Sequence, residues 1–172
     1  LEDINISNNE FTTIDLTQNV LLEDLNVSSN NLPTLNVTQN VLLEYLYAGN
    51  NLLPNLDVTN NVELRQIIIS NNLFTTTGLD LTQNVELNYI DISNNQVESL
   101  YILDNVKLVS FVAHHNLFSG TDILDQLFIV KSGYFGVSAS NIIDVSFNNL
   151  SGPMPNFASL VGTNANFFRF YF

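Results

Sequence analysis

The sequence predicts an α/β solenoid that is mostly β. It reads as a right-handed coil with one parallel concave β-sheet of seven or eight short strands and a convex side of extended and 3₁₀ segments. Three observations predict this. Apolar residues recur with a period of 21, each period opens on an alternation of period two, and an asparagine stands at a fixed place after each alternation. Asn accounts for 28 of the 172 residues, and this excess is itself periodic.

The coils align on Leu1, Leu22, Leu43, Leu64, Leu87 and Leu108, with spacings of 21, 21, 21, 23 and 21 residues. Each opens as L-x-x-L-x-L-x-x-N-x-L. The first reads Leu1, Ile4, Ile6, Asn9, Phe11, and the third Leu43, Leu46, Ala48, Asn51, Leu53. A seventh coil returns as Ile143, Val145, Asn148 and Leu150, and an eighth begins near Ala165 with Phe168 and Phe170. A second half-repeat follows in each coil, such as Ile14-Leu16 before Asn19 and Leu35-Val37 before Asn40. The two additional residues of the fourth coil fall at Thr75–Gly78 and read as a bulge in the return segment.

Alternation of period two marks a strand with one buried face. One such coil cannot bury its own apolar side, whereas a stack of coils makes a continuous core. Parallel strands then lie about 4.8 Å apart, with expected centres at 4–6, 25–27, 46–48, 67–69, 90–92, 111–113 and 143–145. An Asn inside the bend can both donate to and accept from backbone groups of neighbouring coils. Asn9, Asn30, Asn51, Asn72, Asn95, Asn116 and Asn148 are therefore predicted to form a structural ladder.

These residues are the signature of the leucine-rich repeat, and the chain resembles that family over nearly its whole length. The 21-residue period with L-D-V/L-T-x-N is similar to bacterial extracellular repeats of the internalin-like and Bacteroidetes secreted kind. One subgroup carries Cys at the sixth position, where this chain holds Ile6, Val27, Ala48, Ile69, Ile92, Ala113 and Val145. The stretch Asn148 to Pro155 is similar to plant-type repeats. The resemblance implies a non-catalytic protein-binding module of a secreted or cell-surface protein. Residues 1–172 read as one repeat domain. No cap precedes Leu1 and a strand opens at Phe167–Phe172, so a fragment of a longer repeat protein is expected.

A 21-residue coil leaves too few residues for a convex helix. The sixth coil is longer, and there Thr121 and Asp122 can start a helix whose Ile123, Leu124, Leu127, Phe128 and Val130 share a face, giving a predicted helix near 121–131.

Charge excludes several partners. Four Lys and Arg against 17 Asp and Glu give a net charge of −13, which opposes nucleic acid and anionic membranes. No apolar run reaches the roughly 18 residues that a membrane span needs. The absence of Cys excludes disulfides and thiolate chemistry. No nucleophile elbow, H-E-x-x-H, P-loop or G-x-G-x-x-G occurs, and no catalytic role is expected. His114 and His115 read as turn residues whose side chains point in opposite directions.

In a leucine-rich-repeat coil, positions three and five point into the concavity. Tyr45, Tyr47, Gln66, Ile68, Tyr89, Asp91 and Val112 are thus the predicted binding face, because a solvated sheet face should otherwise be polar. Cross-strand pairing among the tyrosines is the structural alternative. Glu2, Glu23 and Glu44 form one acidic row and Asp3 and Asp24 another. Like charges about 4.8 Å apart repel by roughly 1 kcal/mol per neighbouring pair in water. A partner with a basic surface or Ca²⁺ would relieve these rows, but solvation can hold them and no calcium loop is present, so no required metal and no cofactor is expected. A protein partner is expected, with a neutral glycan on the same face or a structural spacer of a surface adhesin as alternatives.

Overall fold

A computed structural model describes residues 1–133, 141–153 and 168–171. Eight strands form one parallel sheet in the order β1 (Asp3–Asn5), β2 (Asp24–Asn26), β3 (Tyr45–Tyr47), β4 (Gln66–Ile68), β5 (Tyr89–Asp91), β6 (Ser110–Val112), β8 (Asn141–Asp144) and β10 (Phe168–Tyr171). Between β6 and β8 lie β7 (Ser119–Gly120) and the helix α1 (Asp122–Gly133). Beyond β8, β9 (Asn149–Leu150) pairs with β7 in a second, two-stranded parallel sheet. Every neighbouring pair of the large sheet is parallel, as stacked coils require.

The strands sit one residue earlier than the apolar alternation suggests. Regular pairing ends where the second apolar residue enters the bend. Its N–H still bonds the next coil, as Ile6 does to the Asn26 carbonyl at 2.9 Å and Val27 to that of Tyr47 at 2.8 Å.

The core is the stack itself. Leu25, Leu46, Ile67, Ile90, Phe111 and Ile143 make one fully buried column, and Leu32, Leu53, Phe74, Val97 and Phe118 another. The slots that carry Cys in one subgroup hold Val27, Ala48, Ile69, Ile92, Ala113 and Val145, each buried.

The Asn ladder carries the bends. Asn51 donates through Nδ2 to the Val27 carbonyl of the preceding coil at 3.0 Å and accepts the Leu32 N–H at 3.0 Å. Asn30, Asn72, Asn95, Asn116 and Asn148 repeat the pattern, Asn72 by donating to Ala48 and accepting from Leu53. Asn9 is exposed, and its Nδ2 bonds stay inside its own coil, to Ile6 and Ser7. A second ladder runs through the return turns. Asn61, fully buried, donates to Val37 at 3.0 Å and Asn40 at 2.7 Å, and Asn40, Asn84 and Asn105 do likewise.

The bulge of the fourth coil is a 3₁₀ turn, Thr76–Gly78, docked against its neighbour. A Cβ on Gly78 would stand 2.4 Å from the Pro54 carbonyl oxygen, so only glycine fits there. The helix forms where the sequence places it and runs two residues further. It buries Ile123, Leu124, Leu127 and Val130. Ala165, Phe172, Met154 and Pro155 lie outside the described residues.

Candidate recognition face

Three-residue strands present their first and third side chains outward, because the middle one is needed in the core. The register arranges these outward residues in two rows. The first runs Asp3, Asp24, Tyr45, Gln66, Tyr89 and ends at Ser110, which is buried and accepts the Ile142 N–H, and the second runs Asn5, Asn26, Tyr47, Ile68, Asp91, Val112, Asp144. Tyr45, Tyr47, Gln66, Ile68, Tyr89, Asp91 and Val112 are all half-buried, so the predicted face is contiguous. The Tyr47 hydroxyl donates to Gln66 Oε1 at 3.3 Å across the two rows. Burial pushes the Tyr47 hydroxyl above the usual phenol range, with Asp24 and Tyr45 adding to it, and burial with Asp91 does the same to Tyr89.

The second row has an internal contrast. Asn5, Asn26, Asp91 and Asp144 each accept the N–H of the serine two residues on: Ser7, Ser28, Ser93 and Ser146 at 2.9–3.1 Å. Such local side-chain turns stabilise the strand exit. Tyr47, Ile68 and Val112 have no acceptor to offer at the same slot. The third, fourth and sixth coils therefore give up a local stabilising bond at this slot and present apolar surface instead, with self-capped Asp91 between Ile68 and Val112.

The acidic rows are as the sequence places them. Asp3 is registered against Asp24, and the backbone pairs Glu2 with Glu23 and Glu23 with Glu44. Burial raises the Asp24 carboxyl above its ordinary value, and the Asp3 and Glu44 charges raise it further. The sequence reading missed what ends the Glu row. Arg65, the next member, bonds Glu44 at 3.3 Å, and Lys107 pairs with Glu86 further along the same edge. The spacing could have shown this, since Arg65 stands 21 residues after Glu44 and Lys107 stands 21 after Glu86.

His114 and His115 do not diverge. Their Nδ1 atoms approach to 2.9 Å, and His115 stacks on Phe147 with ring centroids 4.3 Å apart. Opposite pointing requires an extended chain, whereas His115 has φ +54°. It occupies a left-handed bend position that Asn8, Ser29, Asn50, Asn71, Asn94 and Phe147 fill in other coils. Gln126 was also missed. From α1 it donates to the Leu100 carbonyl at 3.1 Å and accepts the Ile102 N–H at 2.8 Å, so one amide docks the helix on the fifth coil. Among the described residues no group of three metal-ligating side chains occurs, and no helix is long and apolar enough to cross a membrane.

No protein-family model matches the sequence, and comparison with curated proteins gives no match. Solved structures do match. The functional domain of InlJ from Listeria monocytogenes, which includes a cysteine ladder, superposes with a TM-score of 0.77 at 23% identity, covering 99% of this chain and 44% of that one. YopM, a leucine-rich effector protein from Yersinia pestis, gives 0.64 at 27% identity over 87% of this chain and 44% of its own. The ectodomain of the Arabidopsis thaliana membrane receptor kinase GASSHO1/SCHENGEN3, solved in complex with CASPARIAN STRIP INTEGRITY FACTOR 2, gives 0.67 at 20% identity over 90% of this chain and 18% of its own. The chain thus spans less than half the length of each of these three structures.

Proposed function

We propose that this chain, a leucine-rich-repeat solenoid by fold, is a non-catalytic recognition module of a secreted or cell-surface protein. It binds a protein partner with a basic surface through the concave sheet. The observation that carries the reading is the set Tyr45, Tyr47, Ile68, Tyr89 and Val112 on one sheet face, of which Tyr47, Ile68 and Val112 occupy the slot where Asn5, Asn26, Asp91 and Asp144 cap themselves in other coils. Tyrosine adds large contact area with few rotatable bonds and a polar tip, and therefore suits recognition. The acidic rows beside it, Glu2, Glu23, Glu44, Asp3 and Asp24, favour positive groups on the partner and speed encounter at low salt. The fold shared with the plant receptor ectodomain, solved in complex with another factor, supports a binding role in an extracellular setting.

Selection of random displayed peptides on the immobilised protein tests this. Binders are expected to be net basic and to carry aromatic or branched apolar residues. Their association rate should fall as salt rises through about 0.1 M, where the Debye length is about 10 Å. Acidic binders, or binding indifferent to salt, would overturn the reading.

A further inference from the structure

On the return side, four coils repeat a polar device. Asp15, Asn36, Asp57 and Asp80 each accept, through Oδ1, both the N–H and the Oγ1–H of the threonine two residues on: Thr17, Thr38, Thr59 and Thr82. In the fifth coil the corresponding residues are Tyr101 and Leu103, and the device is gone. Tyr101 is instead 48% exposed. The same place receives the fourth coil's 3₁₀ turn. The turn's Thr76 shares with Asp80, Thr82, Ser99 and Tyr101 an open cleft of about 290 Å³.

The hydrogen-bonding state of each group is fixed. Thr76 Oγ1 accepts the N–H groups of Glu98 at 2.9 Å and Ser99 at 3.3 Å, which occupies both lone pairs and leaves its O–H to donate. Asp80 Oδ1 is held by Thr82 at 2.9 Å and 2.7 Å, so Oδ2 is its open acceptor. Thr82 has spent its proton on Asp80 and offers lone pairs. These bonds hold the Asp80 carboxyl below its ordinary value, fixing it as a carboxylate. The cleft therefore combines one oriented donor, two oriented acceptors and an aromatic face on adjacent coils.

From this geometry we infer a binding site for a neutral pyranose unit of an oligosaccharide, separate from the concave face. A sugar's vicinal hydroxyls each donate and accept, which matches the mixed set of Thr76, Asp80 and Thr82. The C–H face of an equatorially substituted ring packs flat on Tyr101. Asp57 on the adjoining coil and the net charge of −13 repel uronic or sulfated polymers, so the glycan is neutral. A basic peptide also meets Asp80, and its backbone can pair with Thr76 and Thr82, but it brings no flat C–H ring face to Tyr101, and hexalysine as a control separates the two.

Titration calorimetry of the whole chain with cellohexaose, xylohexaose and mannohexaose tests the inference, with hexagalacturonate and hexalysine as charged controls. At least one neutral hexamer is expected to bind, and hexagalacturonate is not. Tyr101→Ala and Asp80→Asn should each weaken that binding by about tenfold, one hydrogen bond or stacking contact of roughly 1.4 kcal/mol. Tyr101→Phe should leave it within about twofold. Asp80→Asn leaves the fold intact, because Asn36 already caps Thr38 in the same way at 3.1 Å and 2.8 Å. Tyr47→Ala combined with Tyr89→Ala should not change sugar binding, which separates this site from the concave face. The inference is overturned if all three neutral hexamers fail to bind, if sugar binding survives both Tyr101→Ala and Asp80→Asn, or if hexalysine alone binds in a manner sensitive to Asp80→Asn.

Discussion

The Asn51 side chain holds the Val27 carbonyl, 3.0 Å away in the preceding coil, and so ties one bend to the next. Its other contacts are the Leu32 N–H and the carbonyls of Ala48 at 3.2 Å and Gly49 at 3.3 Å. Asn51→Leu leaves the buried Leu32 N–H without a partner, at about 1–3 kcal/mol, while the Val27, Ala48 and Gly49 carbonyls keep Asn30, Asn72 and Ser29 as donors. Asn55, exposed on the return segment, should tolerate Ala within about 0.5 kcal/mol. Urea melts of the two variants check this, and equal losses would remove the ladder from the account.

Asn61 is the sharper case in the second ladder. Both of its Nδ2 bonds run to carbonyls, so Asn61→Asp sets a carboxylate against the oxygens of Val37 and Asn40. An uncompensated buried charge costs about 3–5 kcal/mol. The folded carboxyl of this variant is pushed up, so its deficit should shrink as pH falls and neutralises the group. Melting temperature against pH reads this directly.

Asp24 offers a pH test in the native chain. Its folded-state carboxyl lies above the unfolded value, first through burial and then through Asp3 and Glu44. A raised acid opposes folding when ionised, and that cost is relieved as pH falls through the folded value. Asp24→Asn should therefore raise the melting temperature modestly at pH 7. The difference should fade below about pH 4, where the unfolded carboxyl is also protonated.

Phe147 and Phe118 should respond oppositely. Phe147 holds a left-handed backbone, φ +54°, and is 72% exposed. A bulky residue there is strained, whereas Asn adopts that conformation readily. Phe147→Asn should be neutral or stabilising by up to about 1 kcal/mol. Phe118, 1% exposed, fills the core column, and Phe118→Ala should cost about 3–5 kcal/mol.

The repeat was legible because one period constrains every coil at once. The apolar columns, the Asn at the ninth position and the outward rows all follow from a 21-residue register. Features that depend on one place in the chain were not. Gln126 docks the helix through backbone groups 24 and 26 residues away, and no pattern marks it. The meeting of His114 with His115 depends on a single left-handed φ. The offset of the strands reflects where pairing ends, which the apolar pattern does not encode. On the proposed recognition face, the rows of Tyr45, Gln66 and Tyr89 and of Tyr47, Ile68, Asp91 and Val112 were readable. The contrast with self-capping neighbours emerged only with the hydrogen bonds of Asn26 and Asp91.

The most direct test of the recognition face is a pair of double substitutions measured against a peptide selected on the native protein. Tyr47→Ala with Tyr89→Ala removes the centre of the concave patch, and Gln18→Ala with Gln39→Ala alters exposed residues of the return turns. Surface plasmon resonance is expected to give at least a tenfold weaker Kd for the tyrosine pair, about 1.4 kcal/mol, and an unchanged Kd for the glutamine pair. Native affinity in the tyrosine pair, or an equal loss in both, would contradict binding through the concave sheet.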